Sequence, residues 1–136
     1  MSDEVRVRVS SDADVVAARE KGRELAARVG FSSIDLTLIV TAISEVARNI
    51  VLYATEGEIV MRVENSGARH GIVVEAHDSG PGIPDLGLAM RDSYSTGSGL
   101  GLGLPGARRL MDEFEIESEV AKGTTVIMKK WAPDRV

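Results

Sequence analysis

The sequence predicts an α+β fold, a two-layer sandwich in which helices cover one face of a mixed, mostly antiparallel sheet. Two long helical patterns lie in the first half of the chain, and five strand patterns follow or precede them, four of which are joined as two hairpins. Helices and strands that are segregated in this way are typical of α+β domains. At 136 residues the chain has the length of one domain with an ordinary buried core, so we assign residues 1–136 to a single domain.

Composition and charge narrow the range of functions. The net charge is −5, which argues against general binding of nucleic acids or anionic membranes. There is no cysteine, so disulfides and thiolate metal sites are excluded. No uninterrupted apolar run approaches the length of a membrane span, and the polar start Met1–Glu4 does not resemble a signal peptide. We therefore expect a soluble cytoplasmic protein without nucleic-acid or membrane partners.

The first two elements are a strand and a helix. Residues 5–9 alternate valines with polar side chains, which predicts a half-buried strand. Ser11 or Asp12 can cap the helix that follows. This helix should end near Val29, because Gly30 can adopt the left-handed conformation that stops a helix. Its apolar pattern predicts an ordinary packing helix.

A second helix should start near Ser32 or Ser33 and run to about Tyr53. At about 100° per residue its apolar side chains form one stripe, which should face the core. The stripe comprises Leu38, Ile39, Ala42, Ile43, Val46, Ile50 and Tyr53.

Glu45 and Asn49 lie one helical turn apart on the margin of this stripe. Polar groups that border a core are costly unless they meet partners. Oxygen ligands of this kind suit Mg²⁺, which also binds substrate phosphates, and a carboxylate can serve as a general base. From helix geometry alone, two solvated residues without a function remain an equal alternative.

Two strand patterns at residues 58–64 and 71–77 predict a hairpin with a loose turn over residues 65–70. Asp78 follows the second strand directly, so its carboxylate should face a ligand at the strand end. A carboxylate accepts hydrogen bonds and therefore suits an amino group of that ligand.

Two glycine clusters follow Asp78, and they comprise Gly80, Gly82, Gly97, Gly99, Gly101 and Gly103. Alternating glycines expose backbone N–H groups and let a phosphate approach the main chain closely. The second cluster leads into a helix expected at about Ala107, whose positive end would face the anion. An acceptor for an amino group, followed by a glycine-rich phosphate-binding loop, indicates a nucleotide-binding site. The alternative is that the two clusters are only flexible loops. We disfavour it, because ordering so many glycines on folding has an entropic cost that flexible loops would not explain.

Residues 84–96 separate the two glycine clusters, and a segment of this length in a compact domain is more often a lid than a plain connection. The helix after the second cluster should end near Glu113. A strand over about residues 114–120 then turns at residues 121–123 into a last strand that ends at Trp131.

Four motifs in this order resemble the GHKL superfamily of ATPases and kinases, which includes gyrase, MutL and the histidine kinases. The motifs are Glu45-x-x-x-Asn49, Asp78-x-Gly80-x-Gly82, the glycine ladder up to Gly103, and Gly123-Thr124 in the late hairpin. The resemblance implies the Bergerat ATP-binding fold, with ATP and Mg²⁺ as cofactors.

The same resemblance implies a role for each motif residue. Glu45 would be the general base and Asn49 the Mg²⁺ ligand. Asp78 would accept from the adenine amino group, with a water that it shares with Thr124. The glycines divide into Gly80 and Gly82 on the adenine side, Gly99, Gly101 and Gly103 as the phosphate ladder, and Gly97 at the lid.

Residues 42–50, 78–85, 103–106 and 109–114 resemble, more narrowly, the RsbT-like serine/threonine kinases of the bacterial stressosome. This resemblance implies a kinase that phosphorylates STAS-domain proteins of the RsbS or RsbR type. The released kinase would then bind and activate a PP2C-type phosphatase of the RsbU type, and a homodimer is possible. Most histidine kinases carry apolar helix formers where this chain has Pro105-Gly106. The resemblance therefore does not decide which glycine N–H groups contact phosphate.

Two other functions stay open. One is an anti-sigma-factor kinase of the RsbW or SpoIIAB type, which shares the site; the segment at residues 103–106 favours the RsbT-like kinase over it. The other is an ATP-gated binding module without catalysis, which the presence of Glu45 disfavours. A histidine kinase is disfavoured because 136 residues leave no room for a dimerisation helix pair with a phospho-accepting histidine.

Overall fold

The computed structural model describes residues 4–83 and 103–133. This part of the chain forms three helices and five strands. In chain order they are β1 (Val5–Val9), α1 (Asp12–Val29), α2 (Ser33–Tyr53), β2 (Gly57–Ser66), β3 (Arg69–Asp78), α3 (Gly103–Leu110), β4 (Glu113–Glu119) and β5 (Gly123–Trp131). The predicted five strands and the two early long helices are confirmed.

The five strands form one sheet in the order β1-β2-β3-β5-β4, and every pairing that the structure describes is antiparallel. β3 is the central strand, between β2 and β5. Its last residue, Asp78, lies opposite Gly57 on one side and Thr124 on the other. The end of the central strand therefore joins segments that are far apart in the sequence.

Both long helices begin at serine caps that the sequence indicates. The Ser11 side chain accepts from the Asp14 N–H at the start of α1, and Gly30 ends that helix with a φ of 98°. At the start of α2, the Ser32 hydroxyl accepts from the Asp35 N–H at 3.1 Å. These bonds satisfy N–H groups that have no partner within a helix, and so they set where each helix begins.

The core lies between the sheet and the two long helices. Alternate strand side chains are buried there, namely Val9, Ile59, Met61, Ile72, Val74, Val126 and Met128. α2 contributes Ile39, Ala42, Ile43, Val46 and Ile50 to the same core, whereas Tyr53, which the predicted stripe included, is exposed. Burial of this one face is the predicted two-layer arrangement, so the fold class is confirmed.

Among the described helices, only α2 is long and apolar enough to cross a membrane by composition, with a mean hydropathy of 1.5 over its most apolar window. The length of uninterrupted apolar runs does not indicate this, because polar residues interrupt the helix sequence, whereas a mean over the window includes them. Half of the window is buried inside the protein, as expected for the core helix of a sandwich.

The turn between β2 and β3 differs from the prediction. Both strands extend into residues 65–70, and only Gly67 and Ala68 form the turn. Gly67 has a φ of 63°, which glycine adopts without steric cost in a tight hairpin. The predicted loose turn was wrong because the paired residues at this end of the hairpin are polar and exposed, and so carry no alternating apolar pattern.

The bounds of α3 also differ from the prediction. The helix begins at Gly103, not near Ala107, and ends at Leu110, three residues before the expected end at Glu113. Pro105 lies in its first turn. Because the N–H groups of a first turn have no helical partner, a proline there removes no hydrogen bond.

Gly123 packs against the end of β3, and we expect Gly123→Ala to destabilise the fold strongly. Gly123 has a φ of 113°, and an added Cβ would lie 2.1 Å from the backbone oxygen of Asp78. Left-handed strain and a forced backbone shift should together lower the free energy of unfolding by roughly 2–5 kcal/mol, measured by urea denaturation.

Gly67→Ala is the matched control, because Gly67 also has a positive φ, 63°, but an added Cβ would meet nothing within 4 Å. It should cost only the backbone strain, about 1–2 kcal/mol. Equal losses in the two variants would contradict the close packing of the hairpin on β3.

Candidate functional site

Asp78 ends β3 on the face of the sheet that the helices cover. Its Oδ1 accepts from the Gly80 N–H at 3.0 Å and from the Thr124 N–H at 3.2 Å. Among the described residues no donor reaches Oδ2. One oxygen therefore fixes the carboxylate to the loop and to β5, and the other is left to accept from a ligand.

The loop after Asp78 is held in place by close backbone contacts that require glycine. A Cβ on Gly80 would lie 2.6 Å from Ala54 Cβ, at the end of α2. Gly82 has a φ of 78°, and its Cβ would lie 2.3 Å from the Glu119 carbonyl oxygen. The Pro81 carbonyl accepts from the Ala121 N–H at 2.8 Å. The two glycines thus seat the loop between α2 and the β4–β5 hairpin, and their predicted contact with adenine stays a prediction.

Thr124 is the first residue of β5 after the hairpin glycine, and it is 6% exposed. Its hydroxyl lies 2.7 Å from the hydroxyl of Ser118, which the sequence analysis did not single out. The Ser118 hydroxyl also accepts from the Ile83 N–H at 2.7 Å. Thr124 therefore joins Asp78 through its backbone and the loop through Ser118.

Glu45 is 6% exposed and lies where α2 meets the start of α3. Its Oε2 accepts from the Gly103 N–H at 2.7 Å, and its Oε1 accepts from Arg48 Nη1 at 3.1 Å. A carboxylate is favoured at a helix N-terminus, where the N–H groups and the helix dipole are positive. Glu45 is therefore not a solvated residue, and its role as a base stays a prediction.

Asn49 is half-buried, one turn of α2 beyond Glu45. Within residues 4–83 and 103–133, no group of three or more His, Asp or Glu side chains could hold a metal ion. The residues fit Mg²⁺ only in its usual mode, with one or two protein oxygens and the rest from water and phosphate. Asn49 carries an amide oxygen that suits this mode, and its role as a Mg²⁺ ligand stays a prediction.

The first three glycines of the ladder, Gly97, Gly99 and Gly101, lie outside the described residues, as does the segment predicted as a lid. Gly103 is the described end of the ladder, with a φ of 57°. Its N–H points to a carboxylate, which shows that this position can hold an anionic oxygen.

A cleft of about 850 Å³ lies at the same end of the sheet and touches Asp78 and Ser79, but it is otherwise lined by the first three strands and the loop before β2. Its cationic side chains are already paired. The bond from Arg6 to Glu58 and the bond from Arg8 to Glu56 raise the pKa of each guanidinium. This cleft therefore offers no unpaired positive charge for phosphate.

A family model described as the histidine kinase-like ATPase domain matches residues 9–130. The chain belongs to this family. The resemblance that the four motifs indicate is thus confirmed.

Two relatives match this chain over different lengths. The serine/threonine-protein kinase RsbT of Bacillus subtilis (strain 168) is 47% identical over 131 residues, which are 96% of this chain and 98% of RsbT. The anti-sigma F factor of Clostridium kluyveri is 33% identical over 100 residues, 71% of this chain and 70% of that protein.

Solved structures agree on the fold. The structure of the RsbU and RsbW domains of Rv1364c from Mycobacterium tuberculosis superposes with a TM-score of 0.63 at 23% identity, over 97% of this chain and 34% of that one. The mycobacterial sensor histidine kinase MprB gives 0.55 at 16% identity, over 99% of this chain and all of that one. At these identities the likeness shows the fold alone.

The structure brings the predicted residues together in two groups, Asp78 with Gly80 and Thr124, and Glu45 with Gly103. Sequence reasoning missed Ser118 and Arg48. Arg48 could have been found from spacing, since it is three residues after Glu45 on one helix face. Ser118 could not, because its position opposite Thr124 depends on the register of the hairpin.

Glu45 should stabilise the protein without any ligand, because it caps α3. Glu45→Ala leaves the Gly103 N–H without its acceptor and should lower the free energy of unfolding by roughly 1–3 kcal/mol, measured by urea denaturation. Glu45→Gln retains an acceptor oxygen and should lose less than half of that. A Glu45→Ala protein as stable as the wild type would show that the cap contributes nothing.

Proposed function

We propose that this protein is an ATP-dependent serine/threonine protein kinase. The observation that carries the proposal is the arrangement along α2. A pair of acceptors, Asp78 and Thr124, lies by the C-terminal end of this helix, where Gly80 packs on Ala54. Glu45, nine residues earlier, roughly 13 Å along the axis, meets the N-terminus of α3. Acceptors at one end and a helix N-terminus at the other fit a ligand with an amine-bearing base and an anionic tail.

Each of the described site residues would have its own role in binding the nucleotide. Asp78 and Thr124 accept from the adenine end, and Gly80 and Gly82 shape the loop beside it. Gly103 places the N-terminus of α3 beside the phosphates, while its own N–H stays on Glu45. Asn49 would hold Mg²⁺, which supplies charge neutralisation on the phosphates when bound. The ladder glycines Gly97, Gly99 and Gly101 are assigned to phosphate and lid by resemblance to the family.

Glu45 would take the proton of the acceptor hydroxyl as general base. Its Oε1 is the oxygen for this step, because its only described donor, Arg48, is partly exposed and can turn towards solvent. Oε2 stays on the Gly103 N–H and keeps the carboxylate aimed. Positioning and charge placement account for most phosphoryl-transfer catalysis, so the protein needs little further chemistry.

For the partners, the support is the likeness to RsbT along nearly the whole chain. We propose a STAS-domain protein of the RsbS or RsbR type as the phospho-acceptor and a PP2C-type phosphatase of the RsbU type as the target of the released kinase. A phosphoryl group added at the contact would repel this protein, whose net charge is −5, and so favour release. We also propose that the protein acts in the cytoplasm and has no membrane or nucleic-acid partner. The homodimer is an oligomeric state that we leave to be tested.

The second candidate is an anti-sigma-factor kinase, favoured by the anti-sigma F factors among the relatives. One experiment separates the two. Purified protein, ATP labelled in its γ-phosphate, Mg²⁺ and candidate STAS proteins from the same genome are incubated and the label is followed. Label on a serine or threonine of a STAS protein, without binding of a sigma factor, supports the first function. ATP-dependent binding of a sigma factor supports the second.

Asp78→Asn should weaken binding of ADP by roughly 1–3 kcal/mol in calorimetry, as expected when a charged acceptor is lost. The amide oxygen can still accept from the Gly80 and Thr124 N–H groups, so the fold should persist. Glu117→Gln, which neutralises an exposed carboxylate on β4, is the control and should leave affinity unchanged. Unchanged affinity in Asp78→Asn would remove Asp78 from the site.

Glu45→Gln should reduce phosphotransfer to the acceptor protein by roughly 10²–10⁴-fold, because a neutral amide cannot take the proton. Its ADP affinity should stay within about threefold of the wild type, since the amide oxygen still occupies the Gly103 N–H. Glu20→Gln on the exposed face of α1 is the charge-matched control. A Glu45→Gln protein with wild-type phosphotransfer would show that Glu45 is not the general base.

A further inference from the structure

The Ser118 hydroxyl is the centre of a small hydrogen-bond network that joins the loop after Asp78 to the hairpin. It lies 2.7 Å from the Ile83 backbone nitrogen, 2.7 Å from the Thr124 hydroxyl and 3.2 Å from the Gly123 carbonyl oxygen. Ser118 and Thr124 are directly opposed in the pairing of β4 and β5. The network is thus built by the register of the sheet.

The proton count in this network sets the direction of each bond. A serine hydroxyl has one proton to donate and two lone pairs that accept. The Gly123 carbonyl can only accept, so the contact at 3.2 Å takes the Ser118 proton. The Ile83 N–H can only donate, so it takes one lone pair. The other lone pair is left for Thr124, whose hydroxyl is then the donor.

The Thr124 proton is therefore committed to Ser118, and the hydroxyl can only accept from anything else. Asp78 is also an acceptor, with Oδ1 already engaged by two backbone N–H groups. This end of the site then offers acceptors and no side-chain donor among these residues. Such a pair suits the exocyclic amine of a 6-aminopurine, either directly or through a water that donates to both.

We propose that Ser118 is a specificity-determining residue, which orients the Thr124 hydroxyl so that the site prefers a 6-aminopurine to a 6-oxopurine. The inference rests on the proposed nucleotide function and deepens it. A carbonyl in place of the amine brings an acceptor against acceptors and leaves them unpaired. Ser118 acts through Thr124 and is a positioning residue, not a ligand of the base.

The test compares ADP with inosine diphosphate, which carries an oxygen where adenine carries the amine and adds no 2-amino group. Calorimetry on the wild type should show a clear preference for ADP. In Ser118→Ala the Thr124 hydroxyl is free to turn and donate, so the preference should fall by roughly tenfold, mainly because inosine diphosphate binds better. Equal losses of affinity for both nucleotides would make Ser118 merely structural and overturn the proposal.

Two further variants keep the test sharp. Ser118→Thr retains the hydroxyl on a β-branched side chain that suits a strand, and it should retain the preference. Thr125→Ala removes a hydroxyl from the same hairpin on the opposite face of the sheet, beside His77, and should leave both affinities unchanged. Loss of preference in Thr125→Ala would attribute the effect to the hairpin in general and contradict the role of Ser118.

A replacement variant and the nucleotide affinities of the wild type cover the remaining outcomes. If Ser118→Ala does not fold, Ser118→Cys keeps the volume with a much weaker donor and acceptor, and it should lose part of the preference. A wild type that binds neither nucleotide would overturn the nucleotide function itself. A wild type that binds ADP and inosine diphosphate equally would overturn the inference about Ser118 alone.

Discussion

A buried carboxylate joins the two parts of this domain that are separated by residues 84–102. Glu45 belongs to the core helix α2, and its bond to the Gly103 N–H fixes where α3 begins. Burial of an ion is costly unless it is paired, and here the helix N-terminus and Arg48 supply the pairing. At the other end of α3, Lys130 donates to the Leu110 carbonyl at 2.9 Å. A negative charge thus lies at the N-terminus of this short helix and a positive charge at its C-terminus, as the helix dipole favours.

The second constraint is close approach of backbones around Asp78. Gly123, Gly80 and Gly82 are each placed where a Cβ would overlap a neighbouring atom, two of them on main-chain oxygens. These contacts bring the end of the central strand, the loop after it and the β4–β5 hairpin into one unit. Because backbone contacts leave no side chain to adjust, the position of the Asp78 carboxylate follows from the fold itself.

Helix starts, strand order along the chain and the two-layer arrangement could be predicted from the sequence, because caps and periodic burial are local signals. Ser11 and Ser32 are examples, since each satisfies an N–H group three residues ahead. The turn at Gly67 could not be predicted, because exposed polar pairs extend the strands without an apolar pattern. α3 was placed too late because Pro105 reads as a breaker, although a first turn tolerates it.

For the candidate site, sequence reasoning named the residues but not their partners. The bond between Glu45 and Gly103 spans 58 positions, and the register that sets Ser118 against Thr124 depends on how the hairpin turns. Neither follows from periodicity within one element. What local spacing does show is that Arg48 shares a face with Glu45, and that signal was available.

The site also imposes an electrostatic condition on the proposed reaction. The N-terminus of α3 already holds one carboxylate, and a phosphate brought to the same place would be a second anion near it. Like charges at a few ångströms cost several kcal/mol at the effective dielectric of a partly buried site. A divalent cation held by Asn49 would remove that cost, because the amide oxygen is a neutral ligand that adds no further negative charge. An aspartate at that position would attract the metal more strongly but would raise the local negative charge again when the phosphate leaves. The combination of one carboxylate and one amide on the same helix face therefore suits the reversible phosphate binding that we propose at this helix terminus.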